Sequence, residues 1–269
     1  MNYIEIKPNK FLSRYIKCYW MLEGKSHSGY EESDRVLPDG CIELIINFKE
    51  PFQEFTGNKN FETQAKTFVV GQIKNYKLLK PSNDFSMLGI RFNPTGAYNF
   101  FNFPLSELTS QTVDAEIILG NEIKELREKM LYSNQFQKIN LLEKFLMQNF
   151  KVPAANKNLH ALLVSFEKEI SRFTVTELSA KLGLSNRQVE RNFSKYIGLT
   201  PKSFLKIKRL QNVLKHIQKN NTVDWITLSY ISGYYDQSHF VNDFRDFSGM
   251  NPSEYLSSNE QLVEFFINR

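Results

Sequence analysis

The chain has 269 residues, 41% hydrophobic and 23% charged, an ordinary globular composition with room for two domains. No apolar run approaches the ~18 residues needed to cross a bilayer, and the opening MNYIEIKPNK lacks the apolar core of a signal peptide, so a cytoplasmic protein without a membrane partner is expected. Cys18 and Cys41 are too few for a disulfide framework and read as reduced packing residues.

The net charge of +5 is unevenly spread. Residues 1–155 hold 19 Lys/Arg and 18 Asp/Glu, residues 172–219 hold 11 and two, and residues 220–269 hold two and seven. The middle block, at +9, fits an anionic partner or a solvated basic surface; charge alone leaves both open.

Residues 1–110 read as mostly β. In RVLPDGCIELIINF (35–48) a Pro-Asp-Gly turn precedes a strand, with Ile42, Leu44, Ile46 and Phe48 alternating with Cys41, Glu43, Ile45 and Asn47. TFVVGQI (67–73) and FSMLGIRF (85–92) are further strands. Asp39 shapes the turn, and Arg91, alternating with apolar residues, meets an acidic group inside or beneath the sheet; for both, a structural role is favoured over ligand contact. Arg35 and Tyr98 also fall in these motif-like stretches.

From about Asp114 the spacing turns helical. Ile117, Ile118, Ile123, Leu126 and Met130 predict one helix, and Phe136, Ile139, Leu142, Phe145, Leu146 and Phe150 a second. These helices form a dimer interface or pack on their own β domain. KVPAANKN (151–158) reads as a linker, and helical patterning resumes at Leu159.

The last third contains a two-copy repeat. LSAKLGL (178–184) faces LSYISGY (228–234) at an offset of 50. After one extra residue the offset becomes 51, pairing Val189, Phe193 and Tyr196 with Phe240, Phe244 and Phe247, and GLTPKSF (198–204) with GMNPSEY (249–255). Each copy reads helix, Gly-containing turn, helix, then Gly-x-x-Pro, which suits a helix-turn-helix. Asn186 or Ser185 caps the second helix of copy one, and Asp236 that of copy two. On a helical wheel, Arg187, Arg191 and Ser194 lie opposite the apolar stripe of copy one, and Ser238, Asn242 and Arg245 opposite that of copy two.

GYYDQSHFVNDF (233–244) holds Asp236, Ser238 and His239, the residue types of a hydrolase triad. Adjacent helical positions point about 100° apart, so the base does not face the nucleophile and the triad reading fails. Between the copies, PKSFLKIKRLQNVLKHIQK (201–219) predicts one long helix. Its apolar side is Phe204, Leu205, Ile207, Leu210, Leu214 and Ile217, and its basic exterior is Lys202, Lys206, Lys208, Arg209 and Lys215. About 18 residues span ~27 Å, enough to hold two recognition helices near the ~34 Å spacing of successive major-groove turns.

TELSAKLGLSNRQVERNFSKYIGLTPKSFLKIKRLQNVL and ITLSYISGYYDQSHFVNDFRDFSGMNPSEY closely resemble the DNA-binding domain of AraC-type transcription regulators, across roughly residues 158–256. The resemblance implies two helix-turn-helix units that bind adjacent major-groove segments of double-stranded DNA. Its base-reading positions are Asn186, Arg187, Glu190 and Arg191 in the first unit and Gln237, Ser238, His239 and Asn242 in the second. Arg187 and Arg191 suit guanine and Asn242 adenine, while Glu190 accepts from cytosine N4, orients Arg191 or is merely solvated. Lys195, Thr200 and Arg245 suit phosphate. Leu256 departs from the family, which often carries a basic residue there, and the acidic second unit suggests that the first supplies most of the electrostatic affinity.

More faintly, RVLPDGCIELIINF, VVGQ, GIRFNPTGAYNFF and PLSELTSQTVDAEIILG are similar to an uncharacterised N-terminal domain of some of these regulators, over about residues 3–150. By analogy this half is a cupin-like barrel that binds an effector or mediates dimerisation. The fold expected is therefore α+β in two domains: a β-rich cupin-like barrel with C-terminal helices, then an all-α domain whose two helix-turn-helix units are joined by a long helix. The domain boundaries expected are 1–152 for the sensor or dimerisation domain (β-rich 1–110, helices about 114–150), 153–257 for the DNA-binding domain, and a tail at 258–269. Its partners would be DNA, a small-molecule effector, RNA polymerase and a second copy of the chain.

A metal cupin needs several His and a carboxylate, and this half offers only His27, in a loop. The cysteines lack the spacing of a zinc cluster, and no Gly-rich phosphate loop occurs. No catalytic residue, metal or cofactor is therefore expected. The rival readings are a constitutive regulator without effector and an enzyme with a catalytic barrel, for which residues 1–150 lack a Cys/His or His/carboxylate constellation.

Overall fold

The structure, a computed structural model, describes residues 1–25, 33–57, 60–151, 157–167, 169–219 and 224–257. His27, most of the 151–158 linker and the 258–269 tail lie outside the described residues. Among the described residues ten strands open the chain: β1 (Asn2–Ile6), β2 (Ile16–Lys25), β3 (Asp34–Val36), β4 (Glu43–Asn47), β5 (Gln53–Gly57), β6 (Asn60–Thr63), β7 (Thr67–Val70), β8 (Lys77–Lys80), β9 (Asp84–Phe92) and β10 (Thr112–Asp114). They pair antiparallel into a six-stranded sheet, β1-β2-β9-β4-β7-β10, and a four-stranded sheet, β3-β8-β5-β6. Among the described residues no ladder joins the two sheets, so the β half is a pair of open sheets and not a closed barrel. The expected α+β, two-part architecture otherwise stands.

The alternation read at 41–48 is realised. Leu44, Ile46, Val69, Leu88 and Ile90 face one side of the large sheet, towards the helices. Ile45, Phe68, Trp20, Phe85 and Met87 face the other, towards the small sheet. Because successive strand residues alternate sides, each central strand supplies two cores at once. Arg91, only 1% exposed, lies on the inter-sheet side; its Nε donates to Glu43 at 2.6 Å and lies 3.5 Å from Asp39. Burial pushes the Glu43 pKa up despite Arg91. It would push Asp39 up as well, but Arg91 and Lys208 hold Asp39 below its ordinary value.

After α1 (Tyr98–Phe101) come α2 (Ala115–Leu119), α3 (Glu122–Leu131) and α4 (Gln135–Gln148). The single helix expected over 117–130 is thus two. Asp114 caps α2 and Gly120 ends it, and whereas Ile123, Leu126 and Met130 of α3 are buried, Ile117 of α2 is exposed. The second half comprises α5 (Lys157–Ser165), α6 (Val175–Leu182), α7 (Asn186–Tyr196), α8 (Pro201–Lys219), α9 (Trp225–Ile231), α10 (Gln237–Ser248) and α11 (Pro252–Ser257). No helix among the described residues is long and apolar enough to cross a membrane.

The halves do not hang apart. One apolar cluster runs from Leu44 and Ile90 through Tyr98 and Leu105 to Tyr196, Phe204 and Phe240. The Pro38-Asp39-Gly40 turn docks on α8. Gln211 Nε2 donates to the Pro38 carbonyl at 2.6 Å, and Lys208 Nζ to the Asp39 carbonyl at 3.0 Å. Asp39 shapes the turn as expected, since its carboxylate accepts from the Cys41 N–H at 2.8 Å.

Candidate nucleic-acid interface

The first unit is α6, a turn at Gly183, and α7. Thr174 and Glu177 form a capping box on α6, and Ser185 and Gln188 form one on α7. Each pair satisfies two backbone N–H groups that the helix start leaves orphaned. Ser185 is therefore the cap, and Asn186 is the first helical residue. Val189, Phe193 and Tyr196 are buried, and Phe193 meets Phe204 of α8 edge-on at 5.7 Å. Burying such a side chain contributes about 1.5–3 kcal/mol, so this stripe fixes which face of α7 points outward.

The second unit repeats the plan. Asp224 caps α9, and the Asp236 carboxylate accepts from the His239 N–H of α10 at 2.7 Å. Phe240, Phe244 and Phe247 are buried, with Trp225 stacked on Phe240 at 5.8 Å. Asp236 and Ser238 are thus a cap and an exposed helical residue, and the triad is absent.

The expected reading residues divide into two groups. Arg187, Glu190 and Arg191 on α7, and Gln237, Ser238, Asn242 and Arg245 on α10, are all exposed. The others, of which Asn186 and Thr200 are also exposed, make contacts within the protein. Asn186 Oδ1 accepts from Ser179 Oγ at 2.6 Å, tying α7 to α6. Thr200 caps α8 through Ser203. Lys195 lies 5.5 Å from the Tyr98 ring and 5.2 Å from the Tyr196 ring, and hydrogen bonding to Tyr98 raises its pKa. The Lys195 ammonium therefore lies beside Tyr98 of the N-terminal half.

His239 is drawn inward. Its Nε2 lies 3.6 Å from Asp243 Oδ2, and its ring packs edge-on against Tyr234 at 5.5 Å. Asp243 is buried, and its other oxygen accepts from Lys206 Nζ of α8 at 2.6 Å. Asp243 was not among the expected site residues, although a charge inside the Phe240/Phe244/Phe247 stripe was a visible signal.

The basic exterior expected for α8 is largely turned inward. Lys206 pairs with Asp243, Lys208 bonds the Asp39 carbonyl, and Arg209 Nε donates to the Ser171 carbonyl at 3.0 Å. In α6, Lys181 lies 4.4 Å from the Phe166 ring centre. Long basic side chains lay their stems on apolar surface and spend their heads locally. The +9 block therefore overstates the charge offered to a polyanion.

Residues 178–258 match a family model described as a helix-turn-helix domain, and residues 4–114 match DUF6597, a domain of unknown function. The C-terminal third is an AraC-type helix-turn-helix domain. Among curated proteins no sequence matches. Similar solved structures include ToxT from Vibrio cholerae at 1.65 Å, 12% identical over 89% of this chain and 98% of that one, with a TM-score of 0.47. ToxT of strain SCE256 with a bound unsaturated fatty acid is 14% identical over 88% and 93%, with a TM-score of 0.45. The AraC-like transcriptional activator CuxR is 9% identical over 72% of each chain, with a TM-score of 0.24. At these values the likeness transfers no residue roles.

Within the AraC-type domain, both second helices present polar side chains from repeat-equivalent positions. Arg187 and Ser238 are one such pair, Arg191 and Asn242 another. Among the described residues no group of three or more His, Cys, Asp or Glu is placed to hold a metal.

Proposed function

We propose that the chain is a cytoplasmic, sequence-specific regulator that binds double-stranded DNA through α7 and α10 in two successive major-groove segments. The carrying observation is the pair of capped helices that expose Arg187, Arg191, Gln237, Ser238 and Asn242 while burying their aromatic stripes. Arg187 and Arg191 read guanine, Asn242 reads adenine, and Glu190 orients Arg191 or accepts from cytosine. Arg245 contacts phosphate. Asn186, Thr200, Lys195 and His239 support the reading helices. Selection of bound fragments from random DNA with the full chain tests this. Enriched sequences should fall in two blocks about one helical turn apart, and Arg187→Ala and Asn242→Ala should each relax preference in a different block. Enrichment of no sequence would sink the reading.

The N-terminal half is the effector-responsive part. Between the two sheets lies a cavity of about 650 Å3, within the range that holds small molecules. Glu54 on its wall is paired with Lys77, and Thr112 Oγ1 donates to Glu54 at 2.8 Å. An effector there carries hydrogen-bonding groups. Thermal-shift screening of the full chain separates this from constitutive binding. A compound whose stabilisation is lost in Lys77→Met supports an effector, and no shift across polar compound classes favours the constitutive reading. Homodimers form through the α2–α4 surface, where Ile117, Tyr132 and Phe136 are exposed. Sedimentation of the full chain at tens of micromolar tests that, and a monomer would end it.

A further inference from the structure

Gly198 and Gly249 occupy the same place in the repeat, 51 residues apart, at the C-terminal ends of α7 and α10. Both have left-handed backbone, φ 91° and 73°. Both are pressed against the N-terminal half. A β-carbon at Gly198 would fall 2.8 Å from the Leu105 carbonyl oxygen, and one at Gly249 would fall 2.5 Å from the Tyr76 ring. At Gly198 the obstacle is backbone and at Gly249 a ring that would have to move, and a side chain at either left-handed position is strained, so both positions favour glycine while the halves are docked. The Gly198 carbonyl also accepts a hydrogen bond from Thr109 Oγ1.

The two gripping segments are one piece of structure. The Ser110 N–H donates to the Gln72 carbonyl at 2.8 Å, and the Gly71 N–H donates to the Gln111 carbonyl at 3.0 Å. These bonds join the 72–76 loop, which carries Tyr76, to the 105–110 segment, which carries Thr109. Tyr76 and Ser110 also line the cavity between the sheets. The same wall therefore touches the C-terminal ends of both reading helices and leaves their exposed N-terminal residues, Arg187 and Ser238, at the far ends.

We infer that Tyr76 and Thr109 are positioning residues for DNA recognition: they clamp the two reading helices at repeat-equivalent glycines and so set the spacing between the two base-reading surfaces. This rests on the DNA-binding reading above. Inserting one base pair shifts the blocks by about 3.4 Å and turns them by about 34°, so a rigid clamp penalises it.

The test uses the full chain, the selected site, and versions of it with one base pair added or removed between the blocks. Wild type should lose at least about thirtyfold in affinity on insertion, the scale of one or two mismatched base pairs. Tyr76→Ala and Thr109→Val should bind the parent site within about threefold of wild type but lose less than about fivefold on insertion. Tyr76→Phe keeps the ring and should retain the wild-type penalty. Thr109→Val nearly conserves volume, which guards against a misfolded Tyr76→Ala. Parent-site binding with an unchanged insertion penalty in both variants overturns the inference alone. Failure of wild type to select any DNA overturns the DNA-binding reading and this inference with it.

Discussion

Removing Lys206 should destabilise the protein more than removing the charge of its partner, Asp243. The two side chains differ in burial: Asp243 is 4% exposed and Lys206 28%. In Lys206→Met the carboxylate stays buried with one oxygen already lacking a hydrogen bond, and the His239 imidazole, with Nε2 3.6 Å away, is left beside it. Leaving a buried charge uncompensated costs roughly 3–5 kcal/mol, and partial solvation puts this case at the lower end, about 3. In Asp243→Asn the amide oxygen still accepts from Lys206, whose ammonium can also reach water, so the cost falls to about 1 kcal/mol, near that of one weakened hydrogen bond. The double variant Lys206→Met/Asp243→Leu removes both charges and should cost less than the sum of the singles by about 2 kcal/mol. Urea unfolding of the full chain at constant salt measures all of these. A greater loss in Asp243→Asn than in Lys206→Met, or strict additivity in the cycle, would refute the reasoning.

Three more outcomes follow from local chemistry. The salt dependence of specific DNA binding should be shallow, with a slope of log K on log salt of about −3 to −5, because of the exposed cations only Arg187, Arg191 and Arg245 lie on α7 and α10, while Lys157, Arg172, Lys181, Lys202 and Lys215 lie on other segments; a slope near −8 would mean that those cations or the inward lysines are recruited. Burial pushes the Cys41 thiol up to about 11 and Cys18 to about 12. At pH ~8 the native thiols should therefore react at least about 200-fold more slowly with a disulfide reagent than the unfolded chain, whose thiols titrate near ~8.5, and comparable rates would contradict the packing. His160 bonds Thr95 Oγ1 at 2.8 Å, and burial holds its pKa below the ordinary 6.5. Its neutral form is favoured by folding, so that stability is complete above about pH 6.5 and is lost as pH falls towards the lowered native value. The stability of wild type relative to His160→Gln should decline between about pH 7 and pH 5, and a flat difference would count against it.

Much of the second half was legible because its signals are local. Pro201 opens α8, Asp236 caps α10, and the aromatic residues at 189/193/196 and 240/244/247 set both buried stripes. Such features need only neighbours three or four positions away. The strand alternation at 42–48 held for the same reason. Long-range pairing was less legible. Alternation identifies a strand but not the edges that close, and the two sheets stay open. A basic side on α8 is what the helical spacing of an isolated helix predicts. In the fold α8 is flanked by the Pro38 turn, the Ser171 segment and α10, which consume Gln211, Lys208, Arg209 and Lys206. The contacts of Asn186 with Ser179 and of His239 with Asp243 are not legible for the same reason, since they come from tertiary packing that exposure patterns on one helix do not contain.

The inward turn of the lysines bears on how recognition works. A domain that floods its DNA face with charge binds through phosphate contacts and tolerates imperfect register, because those contacts carry no sequence information. Here Lys206, Lys208, Arg209 and Lys195 are instead spent on holding α8, α10 and the N-terminal half together. With a smaller electrostatic share, affinity depends on both sets of base contacts forming at once. Each good bidentate contact contributes only about 1–3 kcal/mol, so on the proposed reading neither Arg187 with Arg191 nor Asn242 with Gln237 suffices alone. Simultaneous contact requires a fixed distance between α7 and α10. The acidic second unit is then no handicap, provided that the clamp at Gly198 and Gly249 holds it in register with the first. Any ligand that moves the wall carrying Tyr76 and Thr109 would alter DNA affinity without touching a reading residue.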